Sequence, residues 1–121
     1  MSKKFSLALV FYVCFATVKS QDIKNIDEQA TALYLKKEYL KCAETFQKAI
    51  AADSNYFSAY YNTACCYTLA GKFELSIKFL KQAIDRGFSN ERMLKTDPDL
   101  NQLRSRDEWK EILEYFHKVR Y

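Results

Sequence analysis

The chain of 121 residues is long enough for one domain, and 49% of its residues are hydrophobic, which is enough to form a buried core. Two glycines and one proline argue against a β-sandwich and against a disordered chain, so helices are favoured. The formal net charge of +4 would suit an acidic partner only if it were spread over the folded domain.

The first twenty residues have the order of a secretory signal peptide. A short basic start precedes an uncharged apolar stretch at 5–18, and small residues follow at the place that a signal peptidase reads. The stretch is shorter than the ~20 residues that a membrane-spanning helix needs. We therefore expect cleavage after Ser20 and export to the periplasm or the medium. The alternative is an uncleaved segment 5–18 that anchors the chain, which would be its only contact with a membrane.

The positive charge belongs mostly to this export segment. Removing residues 1–20 takes away Lys3, Lys4 and Lys19 and no acidic residue, which leaves 16 basic against 15 acidic residues and a net charge of +1. No basic stripe remains on the rest of the chain, so nucleic acid is not an expected partner.

The segment that follows contains two copies of one pattern, spaced 34 residues apart, and small residues recur in both. Two helices approach closely only where small residues meet, so we expect Ala30 to face Cys42 and Ala64 to face Ser76. Large apolar residues recur at helical spacing between these positions. The pattern predicts two helical hairpins, with helices at 23–37, 39–52, 56–70 and 73–86.

Lys37 and Gly71 occupy equivalent places in the turns of the two hairpins. Gly71 suits the left-handed backbone conformation that ends many helices. Lys37 is less comfortable at the same place, since a side chain disfavours that conformation. We expect Gly87 to end the fourth helix in the way that Gly71 ends the third.

The C-terminal segment, 91–121, does not continue the repeat. Asp97 is expected to cap a short helix that begins at Pro98 and ends near Arg104. Ser105 and Glu108 have the spacing of a capping box for a last helix at about 106–119. That helix carries an apolar stripe, which predicts that it covers the exposed end of the repeated helices.

Few residues offer catalytic or metal-binding chemistry. His117 is the only histidine, and the chain has neither a C-x-x-C pair nor a glycine-rich phosphate loop. Cys65 or Cys66 with His117 would form a thiol nucleophile, but no local motif supports that pair. Asp97 and Asp99 are better explained by helix capping than as catalytic carboxylates. We expect no enzyme, no cofactor, no metal and no small-molecule substrate.

The 34-residue spacing resembles the tetratricopeptide repeat. The resemblance implies an all-α superhelix of two hairpins. With the signal peptide predicted at 1–20, the repeat domain would occupy 21–121. The repeats would cover 23–56 and 57–90, followed by capping helices at 91–121. It rests most clearly on the second copy, through Tyr60, Ala64, Tyr67, Gly71, Phe73, Leu80 and Ala83.

The ending "DPDL…LR" from Asp97 to Arg104 resembles the segment that follows such repeats in many small bacterial proteins. That resemblance implies a bacterial source and a capping role.

The family resemblance also implies a concave face, formed by the first helix of each repeat, that holds an extended peptide or a partner helix. Asn62 matches an asparagine that clamps a peptide carboxylate in some members, but Asp27 and Thr31 stand where its basic partners would be, so that clamp is not expected. The implied function is an exported protein-binding module, and the alternative is a structural subunit of a cell-envelope assembly. The expected groove residues are Asp27, Thr31, Tyr34, Ser58, Tyr61, Asn62, Cys65 and Thr68.

The adjacent thiols of Cys65 and Cys66 point ~100° apart on a helix, so they cannot hold one ion together. We expect Cys65 to face the groove, exposed to partners, and Cys66 to pack against the preceding hairpin. Three cysteines remain after residue 20, an odd number for an exported chain. Cys42–Cys66 is the disulfide that we would test.

Overall fold

The computed structural model describes residues 20–121, so the signal segment predicted at 1–20 lies outside this part apart from Ser20. The described residues form helices without a strand, which confirms the all-α fold class. Within 20–121, no helix combines the length and the apolar composition needed to cross a bilayer. The helices are α1 (20–35), α2 (Tyr39–Ala52), α3 (Phe57–Leu69), α4 (Phe73–Asp85), α5 (Glu91–Thr96), α6 (Asn101–Arg104) and α7 (Trp109–Arg120).

Consecutive helices pack in pairs, and α3 lies against both α2 and α4. The predicted small contacts explain how they approach so closely. Ser76 Oγ on α4 donates to the Ala64 carbonyl oxygen at 3.0 Å, and Ala30 shares a buried cluster with Cys42. All four of these residues have no exposed surface. This arrangement is the α-α superhelix that the 34-residue spacing predicts.

Three helices end in the same left-handed turn. The φ angle is 61° at Lys37, 75° at Gly71 and 117° at Gly87. In each turn the next residue donates its backbone N–H five positions back, as Lys72 N does to the Tyr67 carbonyl oxygen at 2.8 Å. The prediction that Lys37 occupies the equivalent place to Gly71 is therefore confirmed.

Replacing Lys37 with glycine should raise the free energy of unfolding by roughly 0.5–1 kcal/mol. The reason is that a non-glycine residue in this conformation is strained by about 1–2 kcal/mol, while glycine loses more entropy on folding. Gly71→Ala is the matched control and should lower stability by about 1 kcal/mol, since a Cβ there would meet nothing within 4 Å and only backbone strain acts. Urea unfolding measures both, and a destabilised Lys37→Gly protein would contradict the strain argument.

The structure confirms one of the helix caps predicted in the C-terminal segment. It differs from the prediction at the second cap and contains one additional helix. The Asp97 side chain accepts from Asp99 N at 3.0 Å, which confirms that it caps the turn at Pro98–Leu100 before α6. The capping box is wrong, because Ser105 Oγ donates to the Gln102 carbonyl oxygen at the end of α6 and leaves α7 without a side-chain cap. Helix α5 was not predicted separately; Asn90 caps it by accepting from Met93 N at 2.9 Å.

Two buried clusters share α3. The first joins α1, α2 and α3, and the second joins α3 and α4 to the C-terminal helices. Phe79 on α4 packs against both clusters and connects them. The C-terminal contribution to the second cluster consists of Leu94, Leu100, Leu103, Trp109, Ile112 and Phe116.

Candidate interaction site on the concave face

The concave face formed by α1 and α3 is crossed by the chain's own segment 97–100. Tyr61 Oη on α3 donates to Asp97 Oδ2 at 2.6 Å, and Tyr34 Oη on α1 donates to Asp99 Oδ1 at 2.7 Å. Two tyrosines predicted to bind a partner therefore bind carboxylates of the same chain.

The protonation of these groups suits the hydrogen bonds. Burial raises the pKa of Tyr61, and the hydrogen bond to Asp99 raises the pKa of Tyr34, so both hydroxyls keep the proton that they donate. Desolvation raises the pKa of the Asp99 carboxyl above its ordinary value, because the charged form loses water in the groove.

Three of the eight expected groove residues are covered by the protein itself. Tyr61 is 4% exposed, Cys65 is 5% exposed and Thr68 is fully buried. The expectation that Cys65 is exposed to partners is wrong, because its thiol lies 4.0 Å from Asp97 Oδ2 beneath the C-terminal segment. Thr68 Oγ1 instead donates to the Ala64 carbonyl oxygen, within the α3–α4 contact.

The covering segment is fixed by the core rather than laid loosely on it. The C-terminal helices on either side of it contribute six large apolar side chains to the second cluster, and each of these is at most 9% exposed. Burying one such side chain stabilises by roughly 1.5–3 kcal/mol, so removing the segment from the concave face would expose several strongly stabilising side chains to water.

A cleft of about 330 Å³ remains open beside it. Asn62 and Thr31 add polar side chains to its walls beside the Tyr34–Asp99 pair, and Cys65 and Cys66 reach it with little exposed surface. Ser58 lies half-buried in the first turn of α3 and is not part of the cleft lining. The cleft lining is Thr31, Tyr34, Phe46, Asn62, Cys65, Cys66 and Asp99.

A second, shallow and open space of about 560 Å³ extends along one face of α1, which supplies all of its lining residues; this face, called the α1 groove, shares Thr31 with the cleft. Leu35 is the most exposed large aliphatic side chain of the described residues, with 74% of its surface open. Asp27 lies on this groove; its Oδ2 accepts from Tyr56 Oη at 3.2 Å, whereas its buried Oδ1 has no hydrogen-bond partner. Desolvation raises the pKa of this carboxyl. The groove lining is Ser20, Ile23, Lys24, Asp27, Glu28, Thr31, Ala32 and Leu35.

The groups that could carry chemistry are engaged elsewhere. The Sγ of Cys65 and carboxylate oxygens of Asp97 and Asp99 lie within 4.8 Å of one another, close enough for one cation. However, the carboxylates already accept hydrogen bonds from two tyrosines and a backbone N–H, which explains their proximity without an ion. His117 lies on the surface, where its Nε2 is 2.6 Å from Glu91 Oε1, whereas the cysteines are buried.

The sequence analysis did not predict that Asp97 and Asp99 accept hydrogen bonds from the tyrosines of the concave face. The available signal was two acidic residues after the second hairpin together with tyrosines on the expected face. It was insufficient because the hydrogen-bonded residues are 36 and 65 positions apart, and periodicity carries no information about such pairs.

The three cysteines among residues 20–121 are free and buried. Cys42 and Cys66 belong to the first cluster, and Cys65 belongs to the second. Cys66 therefore packs inside, as expected. The Cys42–Cys66 disulfide stays a prediction.

Comparison with known proteins adds a family match. Residues 45–78 match the model of the tetratricopeptide repeat, from α2 into α4. The chain is also 31% identical over 58 residues to a chloroplastic protein of Arabidopsis thaliana, a match that spans 48% of this chain and 17% of that protein. The repeat is a non-catalytic module that generally mediates protein–protein interaction. The proposed repeat bounds, 23–56 and 57–90, stay predictions.

Proposed function

We propose that the chain is a protein-binding module whose partner docks on the groove along α1 and enters the adjoining cleft. The observation that carries this proposal is Leu35, an aliphatic side chain with 74% of its surface exposed beside an open groove. The tetratricopeptide match supports a protein or a peptide as the partner.

The docking surface differs from the full concave face that the family resemblance implies. Four of the eight expected groove residues line the cleft or the α1 groove and supply polar groups to the docking surface. They are Asp27, Thr31, Tyr34 and Asn62. Leu35 and Ile23 add apolar contact on α1. Exposed apolar surface beside polar groups is typical of an interaction site.

The charge of this surface indicates the chemistry of the partner. The lining residues include three acidic side chains, Asp27 and Glu28 on the groove and Asp99 in the cleft. Lys24 is the single basic residue among them. Opposite charges at an interface favour the correct partner and repel wrong ones. We therefore assign to the partner a segment with an apolar anchor and at least one lysine or arginine.

Replacing Leu35 with glutamate should weaken binding of a partner captured by the wild-type chain by at least about tenfold, since burying a leucine contributes about 1.5–3 kcal/mol. Leu75→Glu is the matched control, because Leu75 is a 39% exposed leucine on α4 outside this groove. Titration calorimetry on the purified pair measures both. Equal weakening by the two variants, or none by Leu35→Glu, would place the partner elsewhere.

A third variant tests the charge separately from the site. Asp27→Asn keeps the shape of the side chain and should weaken binding a few fold at low salt, with less effect at high salt. If Asp27→Asn binds the partner more tightly while Leu35→Glu loses binding, the proposed docking site stands, but the proposal that the partner is basic is overturned. A stoichiometric complex that survives purification would favour the structural-subunit role.

We also propose that the module acts after export. The support for export is the order of basic, apolar and small residues within 1–20. A chain recovered outside the cytoplasm should begin at Gln21 by intact mass, and recovery of a cytoplasmic chain that retains residues 1–20 would overturn it.

A further inference from the structure

The cleft beside the C-terminal segment is lined by hydroxyl groups whose protons are already used. Tyr34 Oη donates its proton to Asp99 Oδ1 at 2.7 Å. Thr31 Oγ1 donates its proton to the Asp27 carbonyl oxygen, also at 2.7 Å. Tyr34 and Thr31 both line the cleft, and their hydroxyl oxygens keep only lone pairs for a further hydrogen bond. A ligand in the cleft must therefore donate to them.

Asp99 adds a charged acceptor to the same cleft. Its Oδ1 accepts from Tyr34, whereas its Oδ2 accepts no hydrogen bond from residues 20–121. The described residues that line the cleft include no lysine, arginine or histidine. Arg104 of the adjoining helix α6 donates instead to the carbonyl oxygens of Leu94 and Asp97. The half-buried charge of Asp99 is thus unpaired within the cleft, and a cation brought by a ligand would offset the cost of its desolvation.

The rest of the lining favours a planar cation. Phe46 and Tyr34 bring aromatic side chains to the cleft, and the side-chain amide of Asn62 offers a carbonyl oxygen. Guanidinium groups stack on aromatic rings more often than ammonium groups do, and their planar fork reaches two acceptors at once. The volume of about 330 Å³ lies at the lower end of the range for small-ligand sites, so the cleft has room for one side chain and not for a folded element.

We propose that the cleft is a recognition pocket for the guanidinium group of one arginine side chain carried by the partner. The guanidinium donates to the Asp99 carboxylate and to the Asn62 carbonyl oxygen, and its plane lies against the aromatic part of the lining. This inference rests on the proposed function, because it concerns a partner that docks along α1 and enters the adjoining cleft. It adds that the basic residue of this partner is an arginine and not a lysine.

The test uses the purified full chain, isotopically labelled for NMR, and three small probes. These are N-acetyl-arginine amide, N-acetyl-lysine amide and N-acetyl-citrulline amide, of which the last has the shape of arginine without its charge. The arginine probe should shift the Asn62 side-chain amide and the Asp99 N–H signals saturably, with a dissociation constant of roughly 1–10 mM. The lysine probe should bind at least about threefold more weakly, and the citrulline probe at least about tenfold more weakly.

A variant of Asp99 tests the residue that supplies the charge. Asp99→Asn keeps an oxygen that can accept from Tyr34 and removes the charge, so it should weaken binding of the arginine probe at least about tenfold. Asp107→Asn is the matched control, because Asp107 is exposed and does not line the cleft, and it should bind like the wild-type chain. Circular dichroism checks that both variants are folded. Arginine binding no tighter than that of lysine or citrulline, or undiminished in folded Asp99→Asn, would overturn the inference.

The Leu35→Glu variant separates this inference from the proposed function. Leu35 lines the α1 groove and not the cleft, so this variant should bind the arginine probe within about twofold of the wild-type affinity. If the wild-type chain does not bind the arginine probe while Leu35→Glu still loses the protein partner, the pocket is wrong and the docking site stands. If the probe binds as expected while the partner binds Leu35→Glu normally, the pocket stands and the docking site is wrong.

Discussion

Replacing Phe116 with alanine should lower the free energy of unfolding by about 3–5 kcal/mol, the range typical of a buried phenylalanine. Phe116 on α7 is 1% exposed and belongs to the same cluster as Leu80 and Ile84 of α4. The loss would remove a large part of the stability of a domain, which is about 5–15 kcal/mol. Thermal unfolding should show a melting temperature lowered by more than about 10 °C.

Val119→Ala provides the control on the same helix. Val119 is 39% exposed, so its truncation should change stability by no more than about 0.5 kcal/mol. If Phe116→Ala does not fold, Phe116→Leu should still cost about 1.5 kcal/mol or less and remain measurable. A Phe116→Ala protein as stable as Val119→Ala would show that the C-terminal helices are not part of one core with the hairpins.

Replacing Tyr61 with phenylalanine should destabilise the protein by about 1.5–3 kcal/mol, the usual contribution of a hydrogen bond to a charged group. The substitution removes only the hydroxyl that donates to Asp97 Oδ2. It keeps the ring, which stacks on Phe88 with centroids 4.6 Å apart. Urea unfolding measures the change, and Tyr121→Phe, at an 88% exposed position, should show none beyond about 0.5 kcal/mol.

A double-mutant cycle assigns that loss to the pair. Asp97→Asn keeps an N-cap, since asparagine caps helices as well as aspartate does. Combined with Tyr61→Phe it should reveal a coupling energy of about 1 kcal/mol or more, because the two groups are in contact. Additive effects would mean that the hydroxyl of Tyr61 does not stabilise the fold through Asp97.

Both predictions address the same consequence of the structure for function. The segment 97–100 occupies part of the concave face, and its apolar neighbours are fixed in the core. Binding is therefore proposed at α1, where Leu35 remains exposed, and not across the whole face. A partner that had to contact the side chain of Tyr61 or Cys65 could bind only after the C-terminal helices had moved away from the concave face.

Short-range patterns in the amino-acid sequence were sufficient to locate two helices and several helix ends. The helices expected at 39–52 and 73–86 agree closely with α2 and α4, because apolar residues at helical spacing identify the buried face of a helix. Gly71 and Gly87 marked helix ends, because glycine adopts positive φ without strain. The capping box at Ser105 failed because the same hydroxyl can close the preceding helix, and local spacing does not distinguish the two uses.

Which residues of the concave face remain open depends on packing between segments that are far apart in the sequence. Tyr61 and Cys65 have the spacing of groove residues, yet a segment more than thirty positions away covers them. Periodicity shows which side of a helix is buried, but it does not show which distant segment lies against that side. The same packing placed Cys42 and Cys66 in one buried cluster and Cys65 in the other, since adjacent residues on α3 face different clusters.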